Sequence, residues 1–299
     1  MPESLSTLKS ASPTRSRAIH AALATTLALY ALSRVIEVLP SSTPSPPIVA
    51  LEILSALAFA LLHGARHYGR RGILVFAVIC LLIGNAIENL GVLTGFPFGH
   101  YEFLPLMGPK LLHVPILLGV AYIGMAYVSW TLARLILGAT SSSLSGPQFI
   151  TVPLLASFIM TAWDVAQDPV WSTLLHAWLW RDGGLWFGVP VTNFAGWLLT
   201  VFLIYCTFAL YLVAGKPASP DPGSPHWRAA VLLYALCAFG NVLQLLRRQP
   251  IAVIADRSGT LWRTAAILRA SALVSIFVMG SFALLAWIRI PRSDSSATD

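Results

Sequence analysis

Charge is scarce in this chain. Asp, Glu, Lys and Arg together make up 10% of its 299 residues, against about 25% in a soluble globular domain. A shell so poor in charge cannot hold a domain of this size in water, so lipid must be much of its solvent. Lysine is scarcer still: Lys9, Lys110 and Lys216 all lie at or beyond the ends of apolar runs. A retinal-type receptor or pump needs a mid-span lysine for its Schiff base, and that class is excluded. Cys80, Cys206 and Cys237 sit inside apolar runs without CxxC spacing, which argues against a disulfide framework or a thiolate metal site. Clustered histidine boxes are missing too. The lone HxxxH, His63 and His67, lies beside Arg66, Arg70 and Arg71 and is expected to face the headgroups, so a membrane di-iron hydroxylase is disfavoured. No DDxxD motif occurs. The stretch DVAQD at 164–168 has the wrong spacing for a Mg²⁺-diphosphate site and no second copy, which argues against prenyl transfer. A transporter stays open, because intramembrane carboxylates suit proton coupling, although no internal or inverted repeat is visible.

What the chain does contain is apolar sequence. Hydrophobic residues make up 57% and the mean hydropathy is +0.74. A bilayer core of about 30 Å needs roughly 20 apolar residues per helical span. Spans are expected near 17–39, 47–66, 72–94, 111–138, 147–168, 191–214, 228–247 and 268–288. The fold class is therefore an all-α integral membrane protein, a polytopic bundle of about 7–8 transmembrane helices. The expected organisation is a polar tail over 1–16, a single transmembrane domain over 17–290, and a short tail over 291–299. The first run is long enough to span and lacks a clear small-residue cleavage site, so it reads as a retained helix. Pro44, Pro46 and Pro47, and then Pro217, Pro220, Pro222 and Pro225, mark ordinary loops. Two connectors differ. Phe96–Lys110 and Pro169–Pro190 are rich in aromatics and glycine, a composition that an interfacial aromatic belt also has. Counting Lys and Arg near span ends favours an inner N-terminus, but Arg247, Arg248, Arg257, Arg263 and Arg269 oppose it.

Polar residues inside spans are costly and are functional-site hypotheses by default. In this chain they fall at one end of each span. Arg34, Glu37 and Glu52 lie around the first connector, and Asn85, Glu88 and Asn89 close the third span. Asp164 and Asp168 close the fifth, Asn193 opens the sixth, Asn241 and Gln244 close the seventh, and Arg269 opens the eighth. Helix parity puts all of them in one half of the membrane, whichever side that is. Asn85, Glu88 and Asn89 share one helix face by i, i+3, i+4 spacing, as do Thr161, Asp164 and Asp168 by i, i+3, i+7. Arg34, Glu37 and Glu52 read best as a structural ion pair joining the first two spans. Asp168-Pro169 has a plain alternative as a helix end, since proline disfavours helix at the residue before it. Glu88, Asp164 and Asp168 have no evident basic partner, which favours a polar pocket beneath the two aromatic connectors.

Three stretches carry a resemblance: E-x-x-G-x-x-T-G-x-x-F-G-x-Y at 88–101, W-D-x-x-x-D-P at 163–169, and G-V-P-x-x-N-F-x-G-W at 188–197. Together with VPILLGVAYIGMAYVSW at 114–130, they resemble a membrane carotenoid-biosynthesis family that includes bisanhydrobacterioruberin hydratase and γ-carotene 1'-hydratase. The chain has Tyr101-Glu102-Phe103 where that family's pattern has Tyr-x-Tyr. The resemblance implies a hydro-lyase that adds water across a terminal isoprenoid double bond of an acyclic carotenoid end group. It implies no metal and no other cofactor. The implied partners are the carotenoid, membrane lipid and other carotenoid-pathway enzymes, with no nucleic acid, in the cytoplasmic membrane of a prokaryote.

The chemistry suits the residues. Hydrating a trisubstituted alkene takes a proton donor, then capture of the tertiary cation by water. A carboxylic acid in apolar surroundings favours its neutral, proton-donating form, and a second carboxylate can take the proton of the water. Asp164 is assigned as acid and Glu88 or Asp168 as base, with Tyr101 and Asn193 ordering the water. Phe98, Trp163, Trp180, Trp186 and Trp197 are candidate substrate-facing aromatics, each able to stabilise a cation by roughly 0.5–2 kcal/mol. A catalytically inert carotenoid- or lipid-binding protein, and a polyene isomerase or cyclase, remain alternatives.

Overall fold

Prolines open the helices. Proline lacks the N–H that a first turn leaves unpaired, and its fixed φ suits helix entry. In the computed structural model, which describes residues 13–39, 46–141, 143–215, 223–246 and 251–291, proline begins or caps most long helices. These are α1 (Pro13–Ile36), α2 (Pro46–Thr94), α3 (Ile116–Ile136, after Pro115), α4 (Gln148–Pro169, after Pro147), α5 (Val191–Val213, after Pro190) and α6 (Ser224–Leu243, with Pro225 in its first turn). The last span is α7 (Thr264–Val274) and α8 (Gly280–Ile288), joined without a break by the π-helical turn Ser275–Met279. The expected tails lie almost wholly outside the described residues, as do Lys216, Arg247 and Arg248.

Among the described residues, seven helices are long and apolar enough to cross a membrane. The chain is an all-α, multi-pass membrane bundle, because only helices or closed barrels satisfy every backbone group inside lipid. The longest, α2, has 49 residues but is bent back at Gly69, whose φ of 72° belongs to the left-handed region that glycine tolerates. A Cβ placed on Gly64 would lie 2.8 Å from Ile73 Cγ1, whereas nine residues of straight helix span about 13.5 Å. The two arms, 46–68 and 70–94, therefore run antiparallel and correspond to the second and third expected spans. Counting them separately, the described residues hold eight crossing-length segments.

Helix α3 is the most buried span and packs against α2, α4, α6 and α8. Its start corrects the expected boundary at 111. Residues 110–115 form a tight hairpin of strands β2 (Lys110–Leu111) and β3 (Val114–Pro115), and the helix begins only at Ile116. Proline and the turn before it, rather than hydropathy, set that end.

A second correction concerns His63 and His67, which do not face the headgroups. Both are buried, with His63 Nδ1 2.6 Å from the Tyr127 hydroxyl and its ring stacked on His226 at 3.5 Å. Their i, i+4 spacing puts both on the arm's inner face, while Arg70 and Arg71 turn outward.

The two aromatic connectors pair with each other. Strand β1 (Tyr101–Phe103) lies antiparallel to β4 (Trp178–Trp180), with Tyr101 opposite Trp180 and Phe103 opposite Trp178. A third hairpin, β5 (Val253–Ala255) with β6 (Leu261–Arg263), covers the second connector.

Candidate functional site

Side chains alternate along a strand. In the β1–β4 ribbon Tyr101, Phe103, Trp178 and Trp180 therefore point one way, into the bundle, while Glu102 and Arg181 stay outside, 3.8 Å apart. Below this ribbon is a cavity. Its polar wall is Glu52, Glu88, Tyr101, Tyr122, Asp164, Gln167, Asp168 and Asn193, brought together from both arms of α2, from β1, and from α3, α4 and α5. The rest is mostly aromatic: Phe98, Phe103, Trp163, Trp171, Trp178, Trp180 and Trp197. The roof sits low because glycines let it. A Cβ on Gly91 would lie 2.6 Å from Phe98, and one on Gly196 would lie 2.7 Å from the same ring and 3.0 Å from the Pro97 backbone. Both glycines belong to the motifs noted above, which gives those positions a steric reason.

The carboxyl groups differ in how firmly they are held. Glu88 accepts a very short hydrogen bond from the Tyr101 hydroxyl on Oε2 and one of 2.6 Å from Tyr122 on Oε1. Asp168 accepts the indole N–H groups of Trp178 (3.0 Å) and Trp180 (3.3 Å) on Oδ1 and the Asn193 amide (2.7 Å) on Oδ2. The same Asn193 amide donates to Asp164 Oδ2 at 3.0 Å. Asp164 thus has one donor, Glu88 two and Asp168 three, so Asp164 keeps the most lone pairs for the cavity. On the ribbon, burial raises the Tyr101 hydroxyl far above its ordinary pKa and the Glu88 carboxyl adds to the effect. Tyr101 is held as a neutral donor.

The five residues expected to do chemistry, Glu88, Tyr101, Asp164, Asp168 and Asn193, all line this one cavity, as do Phe98, Trp163, Trp180 and Trp197. Trp186 does not. Proline at 169 removes the N–H that would bond the Val165 carbonyl four residues back, and the Trp186 indole donates to that carbonyl at 3.0 Å. This repair explains a further correction: Asp168-Pro169 is not a helix end. Helix α4 runs through Pro169 into the π-helical turn Val170–Leu174, a feature frequent at functional sites.

Several other placements differ from the stripes read in the sequence. Asn89 bonds Asn85 and accepts the His113 backbone N–H at 3.0 Å, tying the β2–β3 hairpin down rather than lining the cavity. Thr161 is outside the cavity wall and Arg269 is exposed. The expected Arg34 network is present: its Nη1 lies 3.0 Å from both Glu37 Oε2 and Glu52 Oε1, and Nη2 bonds Asn241 at 2.9 Å. Sequence reasoning missed Tyr122, Gln167 and Trp171. Tyr122 had little signal, since Tyr127, Ser129 and Thr131 carry hydroxyls in the same span, and nothing in the sequence showed that its partner would be Glu88.

The family described as carotenoid biosynthesis protein matches residues 48–258 of this chain. Bisanhydrobacterioruberin hydratase of Haloarcula japonica is 32% identical over 126 residues, covering 41% of this chain and 40% of that protein. The aligned stretch is thus under half of the relative's length. No solved structure matches.

Proposed function

Because the chain belongs to the carotenoid biosynthesis protein family, we propose that it is a hydro-lyase adding water across the terminal isoprenoid double bond of an acyclic carotenoid. The observation that carries this reading is the cavity itself. Four carboxyl groups, of which Glu52 is paired with Arg34, and two tyrosine hydroxyls converge on a space whose remaining walls are largely aromatic. A hydrocarbon substrate fits the walls, and its addition chemistry needs an acid and a base at one end.

Asp164, the least tied carboxyl, gives its proton to the less substituted alkene carbon. The π electrons form that C–H bond and leave a tertiary cation at the neighbouring carbon. Aromatic faces around it each stabilise the charge by roughly 0.5–2 kcal/mol. A water held near Glu88 and Tyr101 attacks the cation, and its surplus proton passes to Glu88. Proton exchange with solvent then restores both groups. Asp168 is a positioning residue: its three donors leave it to fix Asn193, which in turn orients Asp164. The 32% identity to a protein named bisanhydrobacterioruberin hydratase supports this reaction class. In this reading the protein works within the cytoplasmic membrane of a prokaryotic cell, which the source of that relative supports, alongside the other carotenoid-pathway enzymes.

The test is expression in a host that makes an acyclic carotenoid, followed by pigment mass analysis. Hydration adds 18 Da per end group, the mass of one water. Unchanged mass with altered absorption would instead indicate isomerisation or cyclisation, and retained but unaltered pigment would indicate a binding protein.

A further inference from the structure

A hydratase site under an aromatic roof must receive water as well as polyene. Beside the main cavity lies a second, smaller chamber whose wall is far more polar. Its wall includes Arg34, Glu37, Gln167, Asn241, Gln244 and Ser271. A buried water needs roughly 10–15 Å³ of space for its centre and two to four polar partners; this chamber offers about 30 Å³ of such space, with polar partners for about two waters. We infer that this chamber is the route and reservoir from which water enters the catalytic cavity. The inference rests on the hydratase reading above.

Three features support the assignment. First, the chambers share a wall. Gln167 and Trp171 line both, and Glu52 of the main cavity accepts a hydrogen bond from Arg34 of the side chamber at 3.0 Å. The Gln167 carbonyl accepts the Trp171 indole N–H at 3.1 Å, which leaves the Gln167 amide N–H groups to the two cavities. Secondly, the chamber reaches the end of the helical bundle. Gln244 lies where α6 ends, Leu175 lies in the second connector, and both are only half-buried. Thirdly, the wall holds polar capacity that the fold does not consume. The buried Arg34 Nε has no hydrogen-bond partner among the described residues, and Arg34 lines the chamber beside the buried Ser271.

The chemistry makes the route measurable. A tertiary cation that waits for water loses a proton from an adjacent methyl group instead. The C–H electrons form a new double bond, the proton returns to a carboxylate, and the polyene leaves as an isomer of unchanged mass. The ratio of this isomer to the alcohol reports water supply and does not depend on how much folded protein is present. Gln244→Leu and Ser271→Leu, both outside the catalytic cavity, each expressed in a carotenoid-producing host, should raise that ratio by about tenfold. Ser271→Thr should return it to the parental value. An unchanged ratio in both leucine variants, with the alcohol still forming, overturns the route. So does loss of both products from a variant present in the membrane at the parental level, since protonation does not require the chamber. Should one variant fail to accumulate, the other decides. Absence of the alcohol from the unmodified chain instead refutes the hydratase reading, and takes the water route with it.

Discussion

Asn193→Leu removes one amide and two hydrogen bonds. In the native site the Asn193 Nδ2 bridges Asp164 Oδ2 at 3.0 Å and Asp168 Oδ2 at 2.7 Å. Those carboxyl groups sit one helical turn apart on α4, so they face each other with little else to separate them. A bond to a neutral acceptor contributes about 1 kcal/mol and one to a charged acceptor about 1.5–3 kcal/mol. Losing one of each amounts to about 2.5–4 kcal/mol. If that energy holds Asp164 in its proton-donating geometry, the loss corresponds to roughly a 10²–10³-fold drop in alcohol formation. Leucine keeps asparagine's branched shape, though it is larger, and removes only the polar atoms at that position. The assay is alcohol formed per unit of membrane-inserted protein, with retained pigment measured in parallel. Activity within threefold of the parental chain would refute the bridging role, and so would loss of pigment retention together with activity.

Asp164→Asn and Glu88→Gln should each abolish the 18 Da product while the chain still inserts; full activity in both would sink the site. Trp186→Phe leaves the Val165 carbonyl without its donor, a penalty of about 1–3 kcal/mol, so thermal stability should fall while product identity stays the same. Gly196→Val places a Cβ 2.7 Å from Phe98 and 3.0 Å from the Pro97 backbone. The roof must then shift, at about 1–3 kcal/mol, and a variant of parental stability and activity would contradict the steric account. Asp256 anchors the β5–β6 hairpin: burial raises its carboxyl, but hydrogen bonds from Ser258, Trp262 and the Thr260 backbone outweigh burial and hold it below the ordinary aspartate value. A depressed folded pKa stabilises the hairpin above the unfolded value and loses that contribution as pH falls through the folded one. Protection factors over 253–263, the exchange rates referred to the intrinsic rate at each pH, should therefore fall only on acidification below the usual carboxylate range, and not on raising the pH.

The residues by themselves determined the solvent, the spans and the sidedness. Charge scarcity forced lipid as the environment, about 20 apolar residues per crossing set the number of helices, and parity put Glu88, Asp164, Asp168 and Asn193 in one half of the membrane. Helical spacing also put Asp164 and Asp168 on one face of α4. These are local or periodic properties, and periodicity survives without knowledge of neighbours. Tertiary structure alone decided what each group bonds. That Tyr101 and Tyr122 both reach Glu88 depends on a ribbon pairing between two connectors far apart in sequence. That Trp186 repairs the break at Pro169, rather than lining the cavity, depends on how the second connector folds over α4. Sequence shows that a proline leaves a carbonyl unpaired. Only the packing of helices and loops shows which donor comes to meet it.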